Sequence, residues 1–243
     1  MKIPVLLLLA VAVLGVPGAR AQIIHAVTET SGRAAIVGGK VRGPMTDAVE
    51  LTLKAAGLTD YRTSVYPWAR TYQIALREPN TLIYPIARIP AREGQFKWVG
   101  EIERVHFYFV KLATRKDIVV NRLDDAKAYS IGVVRDDVRH HYLKDHGFTN
   151  LLVTGKWNDN FSHLMNRQID MLAVAEFDLD AACAEHAVNC AIFERAFALP
   201  DMAAILYMAY SRSTPDAIVE RTRAAFDKLK AEGVIDKVLK AKP

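Results

Sequence analysis

Between residues 23 and 86, three short β-forming runs alternate with two helical periodicities, and this alternation limits the fold more than any other feature of the chain. Residues 23–28 are apolar and strand-like. Met45, Val49, Leu53 and Ala56 then fall at helical spacing, and Gly57 stops that helix. Residues 61–65 read as extended, 68–76 as a second helix and 81–86 as a further strand. Strand, helix, strand, helix, strand implies a parallel sheet with helices on its faces, and such sheets hold ligands at the carboxyl ends of their strands.

A second series follows the strongly β-forming run VHFYFVKL at residues 105–112. Strands are expected at 130–134, 151–153 and 169–174, with helices at 137–146, 158–166 and 177–187 and a short strand at 191–193. Another strand is expected at 205–210. Thr214 and Pro215 then read as the cap and first position of a long helix, which Gly233 breaks before a short terminal one at 234–239. A chain of this length can form one large domain or two lobes of about 100 residues each, and the order of its motifs favours two. No internal repeat, low-complexity tract or long linker interrupts it.

The first 21 residues carry Lys2, an apolar run over residues 5–14, the breaker pair Pro17 and Gly18, and the triplet Ala19, Arg20, Ala21. This is the pattern of a secretory signal peptide cleaved after Ala21, with an apolar run too short for a membrane span. Cleavage removes Lys2 and Arg20, so the formal charge falls from +5 to 5 − 2 = +3 over 243 − 21 = 222 residues. So weak and scattered a basic balance argues against nucleic acid as a partner.

Two cysteines, Cys183 and Cys190, are present. In an exported protein such a pair is expected to form a disulfide. Seven residues of continuous helix would hold the Cα atoms roughly 10 Å apart, so the helix must end between them, with Asn189 as a terminator. The other reading is a metal site using Cys183, His186 and Cys190.

Residues 66–102 concentrate the chemistry. Arg70, Arg88 and Arg92 stand beside Trp68 and Trp98 among turn-forming residues, the composition of a site that holds an anion against aromatic walls. Each has a plainer reading. Arg92 could pair with Glu93 in a solvated loop, Arg88 could buttress that loop, and Trp68 and Trp98 could pack the core. His140, His141 and His163 read as surface or packing residues.

Three local patterns, in order, resemble one family: residues 43–47 opening a helix that ends at Gly57, the segment IARIPARE, and the ending LKAEGVIDKVLK. Residues 166–174 resemble the same family's strand entry. The chain is similar to the bacterial extracellular solute-binding proteins of family 3, the periplasmic receptors of amino-acid-type ABC importers. The resemblance implies a type II periplasmic-binding-protein-like α/β fold, with each lobe a mostly parallel sheet flanked by helices. One lobe would comprise residues 22–111 plus 202–243 and the other 112–201, joined by two hinge strands within 105–111 and 199–205.

The resemblance also makes Arg92 the clamp for a ligand carboxylate. In the second lobe it places an acidic residue five positions after Asp170, where this chain has Ala175. Glu176 follows and could take over, or could cap the next helix. Asp136 and Asp137 replace a small hydroxyl residue at a helix start, and residues 32–36 replace an aromatic cover.

The expected function is therefore capture of a small polar, carboxylate-bearing ligand by Arg92, Arg88, Arg70, Trp68 and Glu176, without a cofactor. The protein would act as a monomer that delivers its solute to a membrane ABC permease. Two alternatives share the scaffold. One is a ligand-sensing receptor for a signalling partner, and the other is an exported enzyme resembling cyclohexadienyl dehydratases, with Glu176 as general acid.

Overall fold

The computed structural model describes residues 23–240, so the expected signal peptide lies outside the described residues. Strand β1 (Ile24–Thr28) is followed by a hairpin of β2 (Ala35–Val37) and β3 (Lys40–Arg42), helix α1 (Pro44–Ala55), β4 (Tyr61–Val65), α2 (Trp68–Arg77) and β5 (Thr81–Ala87). A long strand, β6 (Phe96–Leu112), leads to β7 (Ile131–Val134), α3 (Val138–Asp145), β8 (Leu151–Thr154), α4 (Trp157–Met165), β9 (Met171–Ala175) and α5 (Asp178–Glu185). A second long strand, β10 (Phe193–Ser211), returns the chain to α6 (Asp216–Ala231) and α7 (Val234–Lys240).

The strands are ordered β4-β1-β5-β10-β6-β9-β7-β8. Each end is parallel, β4-β1-β5 on one side and β9-β7-β8 on the other. The expected βα alternation produces this arrangement, and the all-buried patterns of β1, β7 and β9 follow from helices covering both faces. Between them run β6 and β10, paired antiparallel along their lengths. Their outer parts belong to different lobes: β10 pairs with β5 through residues 206–210, and β6 pairs with β9 through residues 107–110. The ladder slips between Leu199 and Ala204, where the pair crosses from one lobe to the other.

The sequence shows parts of these crossover strands as separate runs at 105–112, 191–193 and 205–210. The structure merges and extends them because Gly100 does not break β6. It makes room for α6 instead: a Cβ on Gly100 would lie 2.2 Å from Phe226 Cδ1. Thr214 does not cap α6, since its hydroxyl bonds Ser211 Oγ at 2.8 Å and the helix begins one residue beyond Pro215.

The cysteines are joined, with Cα atoms 5.5 Å apart. The bond takes up both thiols, which overturns the Cys183, His186, Cys190 metal alternative. The helix between them does end, but earlier than expected. It stops at Glu185, with His186 as cap and Ala187 at φ 52°, while Asn189 starts the following 3-10 turn by accepting a bond from the Ala191 N–H.

Gly100→Ala should therefore lower stability by about 1–3 kcal/mol in urea unfolding, because the added methyl overpacks against the Phe226 ring. Adding Phe226→Leu should recover part of that loss, and additive effects of the two changes would show that Gly100 and Phe226 do not contact each other.

Candidate functional site

The carboxyl ends of the parallel strands in both lobes face one another, as expected for open α/β sheets. Residues 29–32 after β1, 65–67 after β4 and Ala87 at the end of β5 meet residues 137–139 after β7, 156–158 after β8 and 177–178 after β9. Three adjoining cavities of about 330, 60 and 180 Å³ lie there, and Glu29 lines all of them. The largest is at the lower end of the size range for small-molecule sites.

A charge network forms the floor. Asp137 caps α3 by accepting from the Arg139 N–H at 2.8 Å. Its carboxylate also takes the Arg139 guanidinium in a two-pronged bond, 2.5 Å from Nε to Oδ1 and 3.1 Å from Nη2 to Oδ2. Both side chains are buried. Arg139 Nη1 lies 3.6 Å from Asp178 Oδ2, and Asp178 Oδ1 accepts from the Gly32 N–H at 3.4 Å. Burial opposes the charge on Asp137, but Arg139 outweighs it and holds the carboxyl below its ordinary range.

Glu29 and Asp178 go the other way. Burial pushes Glu29 up to about 8, and the Asp137 and Asp178 carboxylates add to the shift against the partial relief from Arg139. Burial also raises Asp178, with Arg139 and the Gly32 N–H opposing it. The pocket thus holds one carboxyl group, Glu29, that keeps its proton near neutral pH unless a further positive charge arrives, beside an Asp178 carboxyl that is also shifted upward.

The residues expected from the sequence divide into two groups. Arg92 and Trp68 come together, 2% and 4% exposed, with the Arg92 guanidinium 5.3 Å from the Trp68 ring and 5.1 Å from Tyr72. Both line the smallest cavity. Arg92 Nη1 donates to Ala87 O at 3.1 Å and Nη2 to Asp136 O at 2.9 Å, while Trp68 Nε1 donates to the same Asp136 oxygen at 3.1 Å. One carbonyl after β7 is thus gripped by two side chains of the opposite lobe. Asp136 presents it from the left-handed region, at φ 60°, with its N–H directed at His140 Nδ1.

Arg88, Arg70 and Glu176 do not join them. Arg88 lies against Trp98 and Tyr207 and is held by both oxygens of Glu93 at 2.7 and 3.0 Å rather than by the loop's carbonyls. Arg70 is exposed over the Tyr66 ring at 4.5 Å and borders none of the three cavities. Glu176 is exposed and borders none of the three cavities, because β9 ends at Ala175 and the chain turns its next side chain outward. Asp178, two residues further at the start of α5, supplies the inward acid instead.

Glu29, Arg139, Asp178 and Trp157 were missed by sequence reasoning, which followed the arginine-rich stretch. A usable signal was present: Glu29, Trp157 and Asp178 lie one to three residues, and Arg139 five residues, past the carboxyl end of a strand whose position was legible.

No protein-family model matches the sequence, and no curated protein does either. Solved structures do match. A histidine kinase sensor domain described as similar to periplasmic binding proteins superposes with a TM-score of 0.79 at 15% identity, covering 89% of this chain and 94% of that one. The arginine-, lysine-, histidine-binding protein ArtJ from the thermophilic bacterium Geobacillus stearothermophilus gives 0.76 at 13% identity, over 91% of this chain and 97% of that one. The substrate-binding protein of an amino acid ABC transporter gives 0.73 at 15%, over 90% and 97%. At such identities the likeness establishes the fold, which is the two-lobed, periplasmic-binding-protein-like α/β architecture.

Glu29 should leave a mark on stability. It keeps its proton in the folded protein up to about pH 8 but loses it near the ordinary glutamate value when unfolded. The folded state therefore binds more protons across that window, and stability falls as pH rises through it. Asp178 contributes with the same sign. Chemical unfolding of Glu29→Gln between pH 5 and about 8 should show a flatter profile than the wild type. An unchanged slope would remove Glu29 as the source.

Proposed function

We propose that the protein is an exported solute-binding protein that captures a small polar solute between its lobes and delivers it, as a monomer in the periplasm, to a membrane ABC permease. The observation that carries this is the set of three cavities joined at Glu29, located where the strand ends of the two lobes face each other. Named amino-acid-binding proteins among the structural neighbours support it. The lobes are assigned as residues 22–111 with 202–243, and 112–201, with hinges in 105–111 and 199–205, where β6 and β10 cross.

In this reading Trp68 and Arg92 serve closure. The pair holds Asp136 O from across the cleft, so the conformation is a shut one. A carboxylate-bearing solute would reach Arg92 only by replacing that carbonyl on Nη2. The enzyme alternative is weakened because Glu176, its proposed acid, is exposed.

A second reading, a receptor domain that reports solute to a signalling partner, is favoured by the match to the kinase sensor domain. Both readings require reversible solute binding.

A thermal-shift screen of the mature protein against amino acids, dicarboxylates and amines should find a stabilising compound that is recovered chemically unaltered. Recovery of an altered compound would sink the binding-protein reading in favour of an enzyme. Arg92→Ala should cost the unliganded protein on the order of 2 kcal/mol in denaturant, since it leaves the carbonyls of Ala87 and Asp136 short of a charged donor. A change within error would remove Arg92 from the clasp.

A further inference from the structure

We propose that the solute is a small organic cation lacking a carboxylate, an amine or a guanidine, seated in the 330 Å³ cavity among Glu29, Asp178 and Glu185 and against the Trp157 ring. This deepens the solute-binding reading and rests on it.

An anionic solute needs cationic donors that are not already committed. Arg92 does not line this cavity, and its two Nη atoms donate to carbonyls. Arg139 does line it, but its guanidinium is bound two-pronged to Asp137. Lys156 borders the adjoining 180 Å³ cavity rather than this one. The charged lining is therefore three carboxyl groups against one guanidinium that already has its own partner.

The start of α5 would favour an anion through its exposed N–H groups, but Asp178 occupies that turn as the helix's own carboxylate. The second helix end at the cavity carries Trp157 and Asn158, and Asn158 Nδ2 donates to Glu185 Oε1 at 2.6 Å. Trp157 borders both larger cavities, and its ring is stacked on Phe161 at 5.6 Å, which fixes its orientation. A fixed indole face beside carboxyl groups is the pairing that holds ammonium and guanidinium groups.

Protonation follows from the same placement. Glu29 is faced by Asp137, Arg139 and Asp178, and burial raises it to about 8, so near neutral pH the empty site carries a proton on Glu29. A solute cation would displace it, and binding would release a proton.

The test is titration calorimetry on the mature protein with agmatine, putrescine, guanidine, L-arginine and succinate. L-arginine and agmatine differ only in the α-carboxylate. Agmatine, or a smaller amine of the set, should bind at least tenfold tighter than L-arginine. The heat at pH 7 should depend on the ionisation enthalpy of the buffer, as proton release requires. Glu29→Gln should abolish that dependence and weaken binding about tenfold or more, and Glu185→Gln, on the exposed rim, should weaken it severalfold without altering the fold.

Tighter binding of L-arginine or succinate than of any amine would overturn the cation inference and leave the solute-binding reading standing. If none of the five binds but a neutral or anionic compound of the wider screen does, the inference fails in the same way. Failure of every compound in both panels would overturn the solute-binding reading itself.

Discussion

The Arg139 guanidinium is what allows Asp137, Asp178 and Glu29 to share one water-poor site. Burying a single carboxylate without a partner costs several kcal/mol, and like charges at close range add to that cost. Arg139 meets the demand unevenly. It satisfies Asp137 with a two-pronged bond, reaches Asp178 at 3.6 Å, and only partly offsets the burial and repulsion at Glu29. The unevenness is useful in a binding site. A fully compensated network would be structural, whereas one short of a positive charge has a defined chemical deficit that a solute can fill. Because Asp137 also caps α3, the Asp137–Arg139–Asp178 part of the network is tied to the start of that helix, while Glu29 reaches it from across the cleft.

Any relative movement of the proposed lobes would be constrained by the two long crossover strands. β6 and β10 are paired nearly throughout, and the longest of their four register shifts, between Leu199 and Ala204 opposite residues 105–107, lies within the proposed hinges. Bending there changes few hydrogen bonds and leaves the parallel pairs of each lobe intact, which is the requirement for hinge closure. Phe226 packed on Gly100 fixes α6 to the outer half of β6, keeping the C-terminal helices with the first lobe.

Most of the fold was legible because the helices and parallel strands are built from local periodicity: Met45, Val49 and Leu53 are all buried on α1, as their spacing requires. The crossover strands were only partly legible, because Gly100, Glu101 and Glu103 look like breaks until the antiparallel partner and Phe226 are known. The hairpin at residues 35–42 went unread for a similar reason, since Gly38 and Gly39 mark a turn without apolar runs long enough to announce strands. In the site, Arg92 and Trp68 were visible as residue types but not as partners of a carbonyl, because Asp136 lies 44 residues from Arg92 and offers its backbone. Glu29, Asp178 and Arg139 are ordinary surface residue types in sequence. Only their meeting at facing strand ends makes them a site.

The clasp on Asp136 bears on how such a cleft would respond to solute. Its carbonyl already takes donors from Arg92 and Trp68, so closure here is stabilised by protein groups. A solute shifts an equilibrium between open and closed states only by its differential affinity for them. If closure relied on a solute bridging Arg92 to the second lobe, an empty cleft would stay open. With the Asp136 carbonyl supplying that bridge, the proposed closure would not depend on a solute at Arg92, and the solute's differential contribution would come from the other side of the cleft. There, Glu29 follows β1 on one side, and Asp178 and Trp157 stand at the starts of α5 and α4 on the other. A cation between them gains its full set of partners only when the lobes meet. The left-handed backbone of Asp136 fits this division, since it aims the carbonyl at the Arg92 and Trp68 side chains across the cleft, whose two hydrogen bonds offset the strain it carries.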